Sequence, residues 1–431
     1  MSTNRTSKIV MIVTLIILQG SLLANGLNLN SVGSKAIGMG GAFVGLADDY
    51  SAVFWNPAGI TQIEGTSVSL YVTDVIPSAT YKMPDYQIDA ATKTNHYLSG
   101  ALTVFFDAGS KLKVGFFGDV PAGLGAEWDG KELLPFSGMT GVEYEWLSKI
   151  GVIHFGPAIA YQVTDKLSVG ATVNIAYGMM DMIRPVDMIT AEGLPGEDHV
   201  MDAQYTEEST GTGFGINAGL LYKASEKLQF GAAVKSRVKV GFSGDAENLL
   251  MAGMGAPSKS EIERDITWPL WVAGGLAVKP MDKLTLTADV QWTQWSATED
   301  VIITDYKDPA WKMALEQADA HKMNLHWDDQ TQIRVGAQYQ ISDLLALRAG
   351  YYSDPAPGPD KTANILLPSI SNDVITVGFG IEKGVIDLDF SFEYIMGSDR
   401  EIAPSMENMP GIHGMNILVP NIALSYKFGG K

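Results

Sequence analysis

A strict alternation of apolar and small polar residues recurs along the chain. In the stretch 166–178, KLSVGATVNIAYG, every second residue from Leu167 to Tyr177 is apolar, and the residues between them are small and uncharged. A period of two is typical of a β-strand whose two faces meet different surroundings. The alternation is longer than the usual globular strand of about five to six residues. The pattern predicts a long strand with one apolar face.

Similar alternation marks later segments and a regular system of connections. It returns at 228–240, 284–292, 386–394 and 422–428. Short turns are predicted at 107–111, 164–166, 224–227, 281–283, 342–343 and 382–384. Long connections are predicted at 74–95, 121–148, 179–209, 244–264, 295–326, 353–372 and 397–418. Six short turns and seven long connections predict fourteen strands whose first and last members end on the same side. Short periplasmic turns and long external loops are the habit of transmembrane barrels.

The first residues have the features of a secretory signal. Arg5 and Lys8 precede an apolar run at 9–18, and residues 22–24 fit a cleavage site. The apolar run is too short to cross a membrane as a helix. We therefore predict that residues 1–24 are a signal peptide and that the protein is exported.

Composition narrows the class of exported protein. The chain has no cysteine and a formal net charge of −19. The first fact excludes a disulfide scaffold, and the second argues against a nucleic-acid partner, which needs a basic surface. Beyond the signal no apolar run is long enough for a spanning helix, so a closed barrel is the remaining way to cross a bilayer. We predict an all-β protein with a 14-stranded antiparallel transmembrane β-barrel over residues 65–431, rather than a large soluble exported protein.

Residues 25–64 do not follow the strand pattern. The segment is rich in Gly, Ser and Ala and contains apolar residues such as Leu27 and Phe54. It would begin at the periplasmic end of the pore, where the lumen is the nearest place to bury these side chains. The segment is therefore predicted to be a plug inside the lumen, which we call the hatch. An ordinary loop before the first strand is the alternative.

The stretch FWNPAGI ends the hatch. Two aromatic residues run into Asn56-Pro57-Ala58, and proline fixes φ and removes a backbone donor. This motif is predicted to be the hinge at which the hatch leaves the lumen and enters the wall. Together with Leu27 and Phe54, its three residues are the candidate gating residues.

The third predicted strand contains unusual residues for a barrel wall. Gly115, Gly118 and Pro121 follow one another at intervals of three in KLKVGFFGDVPAG. Proline cannot donate to the ladder, and glycine inside a strand often marks a bulge or a close approach. We predict a kink here, and we expect the backbone groups that it frees to find partners inside the barrel. The alternative is that Pro121 lies above the membrane at a strand end.

Candidate ligand contacts come from methionines and from cations. The segments 179–188 and 249–254 are rich in methionine, whose flexible thioether suits apolar ligands of variable shape. Met251 and Met254 are therefore candidates, with loop packing as the alternative. Strand parity also places Lys235 and Arg237 in the lumen, where either side chain would pair with a carboxylate.

Other charged side chains are expected to share the lumen. These are Lys239, Arg334, Arg348, Asp289, Asp387, Asp389 and Glu393. Ion-pair ladders across the lumen are thus an alternative to ligand binding by Lys235 and Arg237.

Three blocks of sequence resemble a known family. They are the N-terminal stretch that ends in DDYSAVFWNPAGI, the segment 115–128 and the segment 333–350. Together they resemble the FadL-type long-chain fatty-acid transporters of outer membranes. The resemblance implies a barrel closed by an N-terminal hatch, uptake of hydrophobic molecules, and a kink in strand three that opens the wall sideways to the membrane.

The predicted function is passive uptake of hydrophobic small molecules, either long-chain fatty acids or aromatic hydrocarbons, across the bacterial outer membrane. The expected partners are that ligand, outer-membrane lipid and lipopolysaccharide, and we expect a monomer. No cofactor or metal is expected, since His321 and His326 match no familiar metal spacing and no G-x-S-x-G motif occurs. A lipid-acting barrel enzyme and a general porin remain as alternatives.

Overall fold

The computed structural model describes residues 26–187, 202–405 and 407–428. Within them, fourteen antiparallel strands form a closed barrel, which confirms the predicted fold class. The first strand pairs with the last from Thr66↔Phe428 to Lys82↔Ile412, so the sheet has no free edge. The predicted signal peptide lies outside the described residues.

The barrel strands are numbered β1 to β14, and two of them are interrupted. They are β1 Thr66–Met83, β2 Tyr97–Asp107, β3 Leu112–Trp128, β4 Trp146–Gln162, β5 Leu167–Asp187, β6 Asp202–Ser225, β7 Leu228–Lys235 with Val238–Asn248, β8 Lys259–Trp268 with Trp271–Met281, β9 Leu284–Thr293, β10 Gln330–Gln340, β11 Leu345–Asp354, β12 Asn372–Lys383, β13 Ile386–Gly397 and β14 Gly411–Phe428.

Shorter elements lie before the barrel and in its longer connections. The helices are α1 Ser34–Gly38, α2 Ala52–Trp55, α3 Leu249–Gly253 and α4 Pro309–Gln317, with 3-10 turns at Pro57–Gln62, Pro84–Tyr86, Leu134–Thr140, Trp295–Ala297 and Asp360–Thr362. Short strands are Ile88–Ala91, Val301–Ile303, Asp305–Tyr306, Lys322–Asn324 and Arg400–Ile402. No helix among the described residues is both long enough and apolar enough to cross a membrane.

The alternating pattern sorts residues between the two faces of the wall. In β5, Val169, Ile175 and Tyr177 are exposed on the outside, whereas Thr172 and Asn174 are buried on the lumenal side. Apolar residues outside and polar residues inside are the arrangement that a barrel in lipid requires. The first alternating segment of the sequence is thus confirmed as a strand with the predicted faces.

The wall extends further than the sequence indicated. Strands β5 and β6 stay paired from Leu167↔Tyr222 to Asp187↔Asp202. The expectation of long loops at 179–209 and 244–264 is therefore wrong for most of those residues. The period of two continues through the strand residues of these segments. Their outward-facing residues are mostly polar rather than apolar, so the composition of the segments resembles that of loops.

Strand β7 contains one extra residue relative to β6. Asn217 pairs with Lys235, but further along Thr212 pairs with Gly241. Four residues of β6 thus face five residues of β7, which is the signature of a β-bulge. A single extra residue exchanges the faces of everything beyond it.

The bulge corrects the prediction for Arg237. Val238 and Val240 beyond it are buried on the lumenal side, whereas Arg237 is exposed and donates from Nη2 to Gln294 Oε1 at 2.7 Å. Lys239 is likewise exposed, with 62% of its side chain accessible. Neither side chain faces the lumen. We call the end of the barrel that carries the longer connections the loop end. Between the bulge and the loop end, this part of the wall is apolar on its lumenal face and polar on its outer face.

Candidate functional site

The hatch fills the lumen at the level of the lower strands. The apolar side chains of Ile37, Met39, Phe43 and Trp55 are all fully buried. The 3-10 turn Pro57–Gln62 packs against β4, β5 and β6, while α1 packs against β11, β12 and β13 on the other side. Residues 26–63 are therefore surrounded by the barrel wall and are not an ordinary loop.

Asn56 is the polar centre of the hatch and is fully buried. Its Nδ2 donates to Val44 O at 2.9 Å, within the hatch, and to Leu220 O at 3.0 Å, in the wall. Its Oδ1 accepts from the backbone N–H of Ala58 at 3.2 Å and so caps the turn that Pro57 begins. The motif Asn56-Pro57-Ala58 thus joins the hatch to the wall through one side chain.

Three inward glycines of the wall make room for this motif, and we call them the hatch seat. A Cβ on Gly219 would lie 2.0 Å from Asn56 Oδ1, and one on Gly170 would lie 2.3 Å from Pro57 O. A Cβ on Gly231 would lie 2.0 Å from Val44 O. Any side chain at these positions would collide with hatch backbone or with Asn56. The sequence analysis missed the hatch seat, because an inward glycine looks like any other small lumenal residue.

Several lumenal charges bind the hatch. Arg334 is 1% exposed, and its Nη2 donates to Asn30 O at 2.7 Å while its Nη1 donates to Ser31 Oγ at 3.1 Å. Asp289 Oδ2 accepts from the backbone N–H of Val44 at 2.8 Å. Buried charges are stable only when they are paired or hydrogen bonded. These inward charges therefore have a structural role in holding the hatch.

Lys235 faces inward as predicted and also contacts the hatch. Its Nζ lies 3.1 Å from the centroid of the Phe54 ring and 4.5 Å from that of Trp271. An ammonium above an aromatic face is attracted by the quadrupole of the ring, the more so when water is excluded. Lys235 thus contacts a hatch residue, and a role in ligand binding stays a prediction.

Asp49 of the hatch is a half-buried acid whose carboxylate has an incomplete set of partners. Its Oδ1 accepts from Ser51 N at 2.8 Å and from Ser51 Oγ at 2.6 Å, but Oδ2 has no partner among the described residues. Burial raises the pKa of Asp49 to about 6, although nearby Lys35 opposes the shift. The folded hatch therefore binds this proton more tightly than the unfolded chain does.

Replacing Asp49 with Asn is expected to stabilise the protein at pH 8 and not at pH 4.5. The raised pKa means that the stabilising effect of the protonated acid is complete below about pH 4 and is lost as the pH rises through about 6. Thermal unfolding should show Tm higher than that of the wild type by about 2 °C at pH 8 only. An equal change of Tm at both pH values would contradict this assignment.

Strand β3 contains the predicted kink. Its pairing with β4 shifts by one residue between Asp119↔His154 and Ala122↔Val152. Pro121 lies inside this irregularity and within the strand, so the alternative of a strand end is wrong. Proline supplies no ladder donor, which explains why the shift falls there.

The two glycines before the proline differ in what they do. A Cβ on Gly115 would lie 2.3 Å from Val104 O of β2, so this glycine permits a close approach of the two strands. A Cβ on Gly118 would meet nothing nearer than His154 O at 3.8 Å. Space around Gly118 is therefore open, and the change of register does not depend on packing at that position.

Beyond the kink a gap separates β2 from β3. The β2–β3 ladder ends at Ala101↔Asp119, whereas residues 97–100 of β2 remain paired with β1. The hatch supplies partners to the freed part of β3: Leu29 N donates to Pro121 O at 3.0 Å, and Asn28 bridges to Ala122. The expectation that freed groups find partners inside the barrel agrees with this geometry.

Three side-chain contacts cross the gap, and none of them was found from the sequence. A Cβ on Gly125 of β3 would lie 2.3 Å from Cζ of Tyr97, so the tyrosine ring rests on that glycine. Nearer the loop end, Glu127 accepts from Lys93 Nζ at 2.8 Å and from Asn95 Nδ2 at 2.9 Å. Residues 93–97 are separated in the sequence from the kink, and only the displaced strand brings Gly125 and Glu127 to them.

A cavity of about 630 Å³ lies between the hatch and the gap. Its apolar wall includes Leu124, Ile150, Val152, Ile395 and Val419. At one end are hatch residues 28–31, and at its side are Tyr97, Val120 and Gly123 of the gap. The volume and the apolar lining are those of a site for a small hydrophobic molecule.

The candidate methionines lie elsewhere. Met251 is buried in a cluster with Trp311 and Leu315 near the loop end, and Met254 is 54% exposed. Neither is among the residues that line the cavity. The expected contact with ligand at these positions is not supported by the cavity, whereas Met179 from the other methionine-rich segment does line it.

Comparisons with known proteins agree with the fold. A family model described as outer membrane protein transport protein (OMPP1/FadL/TodX) matches residues 15–420. The 47 kDa outer membrane protein of Pasteurella multocida is 24% identical over 442 residues, which cover 96% of this chain and 98% of that protein.

Solved structures show the same architecture. A FadL homologue of Pseudomonas aeruginosa superposes with a TM-score of 0.78 at 16% identity, covering 94% of this chain and 100% of the other. The toluene transporter TodX of Pseudomonas putida gives a TM-score of 0.71 at 16% identity, with the same coverage. These structures establish the fold, and the family match extends over nearly the whole sequence. The chain therefore belongs to the OMPP1/FadL/TodX family of transport proteins and is a β-barrel of the bacterial outer membrane.

Proposed function

We propose that this protein mediates passive uptake of hydrophobic small molecules, long-chain fatty acids or aromatic hydrocarbons, and releases them sideways into the outer membrane. The observation that carries the proposal is the apolar cavity of about 630 Å³ that reaches both the hatch and the gap between β2 and β3. An apolar molecule in that cavity has a short path through the gap into lipid. A path through the lumen would cross the polar anchors of the hatch.

Movement of the hatch and the state of the gap are coupled in this proposal. The hydrogen bond from Leu29 N to Pro121 O and the bridge from Asn28 to Ala122 join the start of the hatch to the displaced part of β3. A cargo molecule that displaces residues 28–31 would break these contacts. Such a displacement frees Pro121 and its neighbours to move, which changes the width of the gap. The gating roles proposed for Leu27, Phe54 and Asn56 follow from their place in the hatch.

The names of similar proteins support the same class of cargo. Two solved structures of similar fold are described as toluene transporters, from Pseudomonas putida and Ralstonia pickettii. We extend this to the present chain only as a proposal. Lipid and lipopolysaccharide would surround the outward apolar face of a single copy, and no energy source is required.

Uptake into vesicles tests the proposal. Lipid vesicles that contain the purified protein are expected to take up labelled toluene or oleate faster than protein-free vesicles do. They should stay closed to a small sugar, because the hatch fills the lumen. Rapid entry of the sugar would favour a general porin, and no acceleration for either hydrophobic probe would contradict the proposed function.

A further inference from the structure

The hatch end of the cavity is acidic and polar although its walls are apolar. Asn30 and Ser31 of the hatch meet Asp354, Asn372 and Glu393 of the wall there. Among the described residues that line the cavity, Lys149 is the only basic one. Lys149 is exposed and lies on the outward face of β4. Its position along the β4–β5 ladder is far from the hatch end of the cavity. A ligand head group at the hatch end therefore meets carboxyl groups, amides and a hydroxyl.

The lumenal arginine nearest to this end is not available to a ligand. All three nitrogens of the Arg334 guanidinium are occupied: Nε donates to Gln332 Oε1 at 3.2 Å, Nη1 to Ser31 Oγ at 3.1 Å, and Nη2 to Asn30 O at 2.7 Å. The face of the guanidinium stacks on Tyr352, with Cζ 3.8 Å from the ring centroid. Binding a ligand carboxylate here would require that the hatch release Arg334.

Asp354 fixes the orientation of two amides at this end. Its Oδ2 accepts from Asn30 Nδ2 at 2.9 Å and from Asn372 Nδ2 at 3.4 Å, and the second nitrogen also donates to Ile370 O at 3.1 Å. Carboxylate and carbonyl oxygens only accept hydrogen bonds, so both amides must present nitrogen to them. The amide oxygens of Asn30 and Asn372 are consequently left without a partner in the described part of the chain.

These facts select among hydrophobic ligands. A fatty carboxylate at the hatch end would lose its water and meet like charge, while the donors of the nearby Arg334 are already occupied, which is unfavourable on both counts. A pure hydrocarbon would leave the amide oxygens unpaired, which is also unfavourable. A hydroxyl group is uncharged and donates a hydrogen bond, so it satisfies an acceptor at no cost in buried charge.

We propose that the cavity is a binding site for hydrophobic molecules with an uncharged hydroxyl head group, such as long-chain alcohols or alkyl phenols, and that it discriminates against carboxylates. The assignment rests on the proposed uptake of hydrophobic small molecules, and within that class it ranks hydroxyl-bearing molecules above fatty carboxylates and pure hydrocarbons. The hydroxyl lies at the hatch end, among Asn30, Asn372 and Glu393. The alkyl or aryl part lies along the apolar wall toward the gap.

Equilibrium binding of radiolabelled dodecanol and dodecanoate tests the proposal. The two probes have the same chain length, and the protein is held in nanodiscs at pH 8. Dodecanol is expected to bind at least about tenfold more tightly, since a site with buried acceptors rewards a donor and penalises a charge. Equal binding of the two probes, or tighter binding of dodecanoate, would overturn the proposal.

A matched pair of variants locates the effect. Glu393→Gln removes one carboxylate and keeps an oxygen for the hydroxyl of Tyr352, so the preference for dodecanol should shrink because dodecanoate binds more tightly. Asp387→Asn on the same strand removes an acid that is paired with Lys427 outside the cavity, and the preference should stay as in the wild type. An unchanged preference in Glu393→Gln, or the same loss in both variants, would overturn the assignment.

The outcome separates this inference from the proposed function. Equal transport of oleate and dodecanol would agree with the proposed function and contradict the head-group selectivity. Absence of binding for dodecanol and dodecanoate, together with absence of toluene uptake into vesicles, would contradict both the proposed function and the head-group selectivity.

Discussion

Gly123→Trp should stop the delivery of hydrophobic cargo to the membrane and leave the barrel folded. Gly123 lines the cavity at the gap, on the face of β3 opposite the buried Ala122. A Cβ there would meet nothing nearer than Ile150 O at 3.8 Å, so an indole enters the gap without disturbing the strand. Uptake of labelled toluene into vesicles should fall by at least about tenfold, because the indole occupies the opening between β2 and β3 through which the proposed route passes.

Gly274→Trp is the matched control for this block. Gly274 is an exposed glycine of β8, and a Cβ there would be 4.0 Å from Gly231 O, its nearest neighbour. It does not line the cavity, so its tryptophan faces lipid and uptake should match that of the wild type. Dodecanol should still bind to Gly123→Trp, since the hatch end of the cavity is unaltered. Normal toluene uptake by Gly123→Trp would show that cargo leaves by another route.

The barrel was predictable from the sequence because its physics is periodic. A strand between lipid and lumen must alternate, and the wall must close, so the pattern around Leu167 to Tyr177 determined both the fold class and the faces. Pro121 was equally informative, since a residue without a backbone donor marks a defect in any ladder. Both features are properties of single residues or of neighbours in the sequence.

The faces beyond the β7 bulge were not predictable in this way. Alternation distinguishes two faces of a strand but does not say which one is inside. Val234 and Val238 have the same parity in the sequence, yet one is exposed outside and the other is buried inside. One extra residue near Arg237 makes the difference, and it changes no composition. A local sign is Pro269, which lies in the interruption of the neighbouring strand β8, opposite the bulge.

The site depended on contacts between distant segments. Tyr97 and Gly125 meet because β3 is displaced, and Gly219 touches Asn56 because the hatch occupies the lumen. Each pair joins residues that are far apart in the sequence, and neither residue type is unusual by itself. Only the path of the folded chain relates them.

Gly219→Val is expected to convert the closed barrel into an open pore. A Cβ at this position would lie 2.0 Å from Asn56 Oδ1, a contact that no rotation of a valine relieves. The strand cannot retreat, because Gly219 is paired with Gly170 on one side and with Ala233 on the other. The motif Asn56-Pro57-Ala58 must therefore leave the hatch seat.

The loss of the seat affects the hatch as a whole. When Asn56 moves, the hydrogen bonds from its Nδ2 to Leu220 O and to Val44 O both break. Each buried polar group left unpaired destabilises the folded hatch by roughly 1–3 kcal/mol. The wall itself keeps its closed ladder of strands, so the barrel should still resist unfolding in sodium dodecyl sulfate at room temperature. Only the contents of the lumen change.

Conductance in planar bilayers measures the change. Gly219→Val should raise the single-channel conductance by at least about tenfold over the wild type, as expected when a filled lumen becomes a water-filled one. Gly274→Val, on the lipid face, should conduct as the wild type does. If Gly219→Val folds and stays closed to ions, the hatch is held chiefly by Arg334 and Asp289 rather than by the glycine seat, and displacement of Asn56 is not the step that opens the protein.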